Sequence, residues 1–83
     1  MVTPQDIAGW IEAGLPDTQV QVEGDGAHFE AVIVNAGFDG KSLIQRHQMV
    51  YGALGDRMKA DIHALSMKTL TPAEHAELLA EHK

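Results

Sequence analysis

The chain has 83 residues, of which 45% are hydrophobic, enough for one modest core and too many for wholesale disorder. It has no cysteine, which excludes disulfide framing and a thiol nucleophile, and no apolar run approaches the ~20 residues that span a bilayer. Twelve acids against six bases give a formal net charge of −6, which opposes a large non-specific affinity for nucleic acid or anionic lipid while leaving room for a local basic patch.

The segment from Met1 to Asp6 lacks the basic and apolar stretches of a secretory leader. With the absence of cysteine, it makes a cytoplasmic location the expectation. Thr3-Pro4-Gln5-Asp6 reads as a helix start: Thr3 caps, Pro4 suits the first helical position, and Asp6 sits where an acid helps the free amides. Ile7, Trp10 and Ile11 recur at helical spacing, and Gly14 and Pro16 end the helix. Thr18 to Glu23 alternates with Val20 and Val22 on one face, Gly24-Asp25-Gly26-Ala27 supplies a turn, and His28 to Asn35 follows as a more buried strand. The two strands form an antiparallel hairpin.

After the loop Ala36 to Gly40, Ser42 with Gln45 resembles a capping box. Leu43, His47, Val50, Leu54 and Met58 then keep helical spacing, with a bend or break expected at Gly52 and Gly55. Ile62 to Thr69 reads as a third strand, and Thr71-Pro72-Ala73-Glu74 starts a last helix. The order is α-β-β-α(-α)-β-α, an α+β class in one domain over residues 1–83. The right-handed crossover rule puts the third strand parallel to the second in a mixed three-stranded sheet, with the first two helices on one face. Trp10, Val20, Val22, Phe29, Ile33, Val50, Leu54 and Leu65 are the expected core.

Three segments carry a resemblance: Gly24-Asp25-Gly26-Ala27-His28-Phe29, Gln45-Arg46-His47-Gln48-Met49-Val50-Tyr51, and Ile62-His63-Ala64 through Pro72-Ala73-Glu74. In this order and spacing the chain resembles the BolA family, most closely its short, acid-tolerance-type branch, over nearly its whole length. The resemblance implies a fold similar to a type II KH domain. It also implies partnership with a monothiol glutaredoxin around a shared [2Fe–2S] cluster completed by glutathione, with the chain a monomer or weak dimer when alone.

His63 matches the family's histidine in its Val/Ile-His-Ala motif, which the resemblance assigns as a cluster ligand. Read by residue type alone it is a half-buried strand histidine bonded to a carbonyl. His28, at the end of the hairpin turn, is the second metal candidate; relatives carry a Cys or His in a loop that is often longer, and an exposed strand-end histidine is the plainer account. Arg46-His47 matches the family's Arg-His pair. Arg46, His47 and Lys68 are the candidates for partner contact, although His47 also lies on the apolar stripe and a lone helical Arg46 is more often solvated. His75 replaces an aromatic residue common in relatives, and it and His82 read as surface histidines of the last helix.

Gly52-Ala53-Leu54-Gly55 fits the Gly-x-x-Gly pattern of nucleic-acid-clamping KH domains, but apolar middle positions and the net charge make it read as a helix break. No nucleophilic constellation is visible beyond helix caps, so an enzyme is not expected. The leading expectation is a cluster-sharing interaction module. The alternative is a KH-like nucleic-acid-binding transcriptional regulator.

Overall fold

The structure, a computed structural model, describes residues 2–60, 62 and 64–81. Its elements are α1 (Pro4–Gly14), β1 (Gln19–Gly24), β2 (Phe29–Val34), a 3₁₀ turn (Ala36–Phe38), α2 (Leu43–Leu54), α3 (Arg57–Ala60), β3 (Leu65–Leu70) and α4 (Pro72–Glu81). This is the α+β order that the sequence predicts.

Three helices begin on reciprocal caps. Thr3 Oγ1 accepts from Asp6 N–H at 3.1 Å while Asp6 Oδ2 accepts from Thr3 N–H at 3.0 Å. Ser42 and Gln45 repeat the exchange at 3.2 and 2.9 Å, and Thr71 and Glu74 at 3.2 and 2.9 Å. Each cap satisfies amides that the first helical turn leaves free, which is worth about 1 kcal/mol. Helix α2 ends at Gly55, whose φ of 60° is a conformation that disfavours side chains. The break expected at the glycines is therefore present, and α3 follows it.

The sheet runs β1-β2-β3, with β1 antiparallel and β3 parallel to β2. Opposed pairs Val20–Ile33, Val22–Ala31, Phe29–Leu65 and Ile33–Thr69 share one face. Helices α1 and α2 cover that face. Ile7, Ile11, Phe29, Ile33, Phe38, Val50 and Leu54 are fully buried there. Gly14 lies so close to α2 that a Cβ on it would stand 2.6 Å from Ala53 Cβ, so glycine is what lets the two helices approach. The opposite face carries Gln19, Gln21, Glu23, Glu30, Val32, Val34, Ser66, Lys68 and Leu70, and α4 has no buried residue.

Three details differ from the sequence reading. Strand β3 begins at Leu65 rather than Ile62; Ile62, only 3% exposed, instead enters the core from a loop whose N–H donates to Arg57 O at 2.9 Å. Leu43, expected on the apolar stripe, is 64% exposed, because Arg46 takes the inward position one turn before Val50. Trp10, Val20, Val22 and Leu65 are half-buried rather than interior: the Arg57 guanidinium lies 4.6 Å over the Trp10 ring, and β1 and β3 are the edge strands.

Candidate functional site

The first candidate region is the end of the sheet where β2 begins. Asp25 organises it. Its Oδ1 accepts from Ala27 N–H at 3.0 Å and His28 N–H at 2.9 Å, and its own N–H donates to His28 O at 3.2 Å. Those amides, His28 first and Ala27 next, hold the Asp25 carboxyl below the usual carboxylate range. Gly26 takes a φ of 101°, and a Cβ on Gly24 would collide with His28 O and the Phe29 ring. The turn is thus fixed by its own short-range bonds, with no tie to the helices among the described residues.

His28 stands exposed at the exit of this turn, beside a shallow depression of about 310 Å³ lined with Glu23, Gly24, Asp25 and Glu30. The parallel register sets Phe29 against Leu65, and Phe29 N–H donates to Ala64 O at 3.0 Å. The starts of β2 and β3 therefore lie side by side. His63, which precedes Ala64 in sequence, lies outside the described residues, as does His82. Among the described residues no three His, Asp or Glu side chains converge in a metal-binding cluster. The chain has no cysteine, so the metal-donor side chains at this end of the sheet are imidazole and carboxylate.

Arg46 is at the other end. Its Nε donates to Phe38 O and Lys41 O, both at 3.1 Å, and its Nη1 to Thr69 O at 3.1 Å. Nη1 also meets Glu74 Oε1 at 2.7 Å, and its guanidinium stands 5.9 Å from the Phe38 ring centre. One side chain, 13% exposed, thus joins the loop before α2 to β3 and α4. Arg46 is a candidate for partner contact, and its plainer account is a solvated charge; in the structure that plainer account gives way to five backbone and carboxylate contacts that hold it. The same Glu74 closes the α4 cap, and its bonds with Arg46 and then with the Thr71 N–H hold its carboxyl below the usual range.

The remaining candidates are dispersed. His47 is half-buried, edge-on to Tyr51 with ring centres 6.5 Å apart, and its Nε2 is buried with no partner among the described residues. Lys68 is exposed on the α4 side of the sheet, opposite Val32. His75 is half-buried beside Val34. The structure therefore brings His28 and the β3 entry together and leaves Arg46 at the far end of β2, roughly 16 Å away along the strand. Sequence reasoning missed the organising role of Asp25 and the Arg46–Glu74 bridge. An Asp followed directly by Gly signals the first, whereas a pair 28 residues apart leaves no local signal for the second.

Gly52-Ala53-Leu54-Gly55 is the end of α2, with Leu54 fully buried and Ala53 against Gly14. Its middle residues are committed to packing.

A small α+β domain with an exposed histidine at the start of the central strand is the class that fold and site define. A family model described as BolA-like protein matches residues 12–74, and the chain belongs to that family. Over 59 residues it is 46% identical to the acid stress protein IbaG of Escherichia coli (strain K12), covering 70% of each chain. It superposes on the structure of a bolA protein homologue from Coxiella burnetii with a TM-score of 0.86, at 53% identity, covering 92% of this chain and 99% of that one. The solution structure of yeast Fra2 is similar at a TM-score of 0.76 and 32% identity, covering 99% and 94%.

Proposed function

We propose that this chain is a non-catalytic partner of a monothiol glutaredoxin, sharing a [2Fe–2S] cluster in iron–sulfur maturation or iron homeostasis. The carrying observation is membership of the BolA-like family together with an exposed His28 beside the entry of β3. The cluster is cargo: His63 and His28 supply neutral imidazole to one iron, while the partner's cysteine and glutathione supply thiolate. A chain without thiolate would hold such a cluster poorly alone, which fits a shared rather than a private site. An exposed ligand suits the task, since a second protein must reach it.

The regulator reading is weaker. In the Gly-x-x-Gly segment Leu54 is buried and Ala53 packs against Gly14, and the charge is −6.

The test is anaerobic co-purification with a monothiol glutaredoxin and glutathione, followed by visible absorption and circular dichroism. A coloured heterodimer whose spectrum changes in His63→Ala is expected. An uncoloured heterodimer, or a coloured one indifferent to His63→Ala, removes the ligand role and leaves docking without metal contact.

A further inference from the structure

The two edges of the sheet are treated differently. In the hairpin, Asp25 and His28 face each other and Asp25 N–H donates to His28 O. In an antiparallel ladder bonded and non-bonded pairs alternate, so Gln19, Gln21 and Glu23 turn their backbone groups toward β2. Val20, Val22 and Gly24 then turn theirs away. The far side of β2 agrees with this phase, because Phe29 N–H and Asn35 N–H both donate toward β3. Among the described residues no hydrogen bond reaches the backbone of Val20, Val22 or Gly24. On the β3 edge, by contrast, the outward carbonyl of Thr69 is occupied by Arg46.

An edge strand is a template for a further strand unless it is short, bulged, or broken by proline or lysine. Strand β1 pairs without a bulge over six residues and holds neither proline nor lysine. A groove of about 380 Å³ lies over the α4 side of β1 and β2, lined there by Gln19, Gln21, Val32, Val34 and His75, and it also touches Glu12 and Val20.

Charge identifies the occupant. Residues 1–40 contain Asp6, Glu12, Asp17, Glu23, Asp25, Glu30 and Asp39 and no Lys or Arg; of the later cations, Arg57 reaches back only as far as the Trp10 ring among the described contacts. A second copy of this chain would bring the same acid-rich segment and a net charge of −6 to the edge, which disfavours it as the occupant. We propose that the free edge of β1 binds an extended, basic segment of a partner protein as a fourth strand. Alternate side chains of that segment would be apolar over the half-buried Val20 and Val22, and basic toward Glu23 and its acidic neighbours. This edge shares Glu23 and Gly24 with the depression beside His28, but it does not rest on the cluster reading.

The test uses the intact, isotope-labelled chain and a capped octapeptide of alternating lysine and valine. Binding should slow amide exchange at Val20, Val22 and Gly24 by at least about tenfold while leaving Gln21 and Glu23, already in the ladder, unchanged. Added salt should weaken the effect, and the glutamate–valine counterpart should produce none. Glu12→Lys with Glu23→Lys, both exposed positions, should reverse the preference between the two peptides. Val22→Pro, which removes an outward amide, should abolish binding while Gln21 and Glu23 stay protected. Protection without the alternating pattern, equal response to both peptides, or protection that grows with protein concentration alone would overturn the proposal, the last because it would name a second copy as the occupant.

Discussion

The two ends of the central strand differ in how much of the fold depends on them. At the end of β2 near Val34, Arg46 binds three backbone carbonyls and Glu74, so loop, β3 and α4 share one cation. At the Phe29 end, Asp25 closes a turn on itself and leaves His28 facing outward. Both Arg46 and His28 are polar residues within the stretch that the family model matches. Only the structure separates them, one as a fastener and the other as an available donor. An exposed polar group without internal duty is free to serve a partner, whereas a bonded one is costly to redirect.

The largest effect that sharpens this contrast is expected from Arg46→Ala. It strands several carbonyls and frees α4, and should cost about 2–3 kcal/mol in denaturant titration. His28→Ala should stay within about 0.5 kcal/mol in the same titration, as surface changes do. Equal losses would erase the distinction between the two ends.

A somewhat smaller effect is expected at the glycines. Gly14→Ala forces the α1–α2 crossing apart at Ala53 and should cost about 1–3 kcal/mol. Gly24→Ala should distort the His28 turn, seen as amide shifts confined to the hairpin, with helix contacts unchanged.

Acid sharpens the comparison differently. Glu74 and Asp25 both have carboxyls held low in the folded chain, by Arg46 and by the turn amides respectively. Each therefore contributes stability above the ordinary carboxylate range that is lost as pH falls through its lowered value. Glu74→Gln should flatten the fall in melting temperature below the usual carboxylate range. Asp25→Asn should flatten it too, with its structural signature restricted to the hairpin. A pH profile unchanged by either variant would contradict the bonding described.

The element order was legible because its signals are local. Thr3 with Asp6, Ser42 with Gln45, and Thr71 with Glu74 each announce a helix within four residues, and the glycines mark the hairpin and the α2 break. The parallel placement of β3 followed from the handedness of crossovers. What failed were inferences that depend on the partner across space. Leu43 keeps helical spacing with Val50, yet in the first turn of α2 the inward place belongs to Arg46, bonded to the carbonyls of Phe38 and Thr69. The start of β3 was misplaced because Ile62 serves the core equally well from a loop. For the candidate site, His28 could be found as a turn-flanking histidine. Its neighbourhood with Ala64 required the sheet register.

The smallest structural change in this series is the most informative about function. Heterodimers of a monothiol glutaredoxin with the unmodified chain, with His28→Ala and with Arg46→Lys should be loaded with cluster and compared by visible circular dichroism. The account predicts an altered spectrum and faster cluster loss for His28→Ala, with an unaltered spectrum for Arg46→Lys despite its lower stability. A spectrum unchanged by His28→Ala but altered by Arg46→Lys would contradict it, placing the metal-facing surface at the opposite end of the sheet.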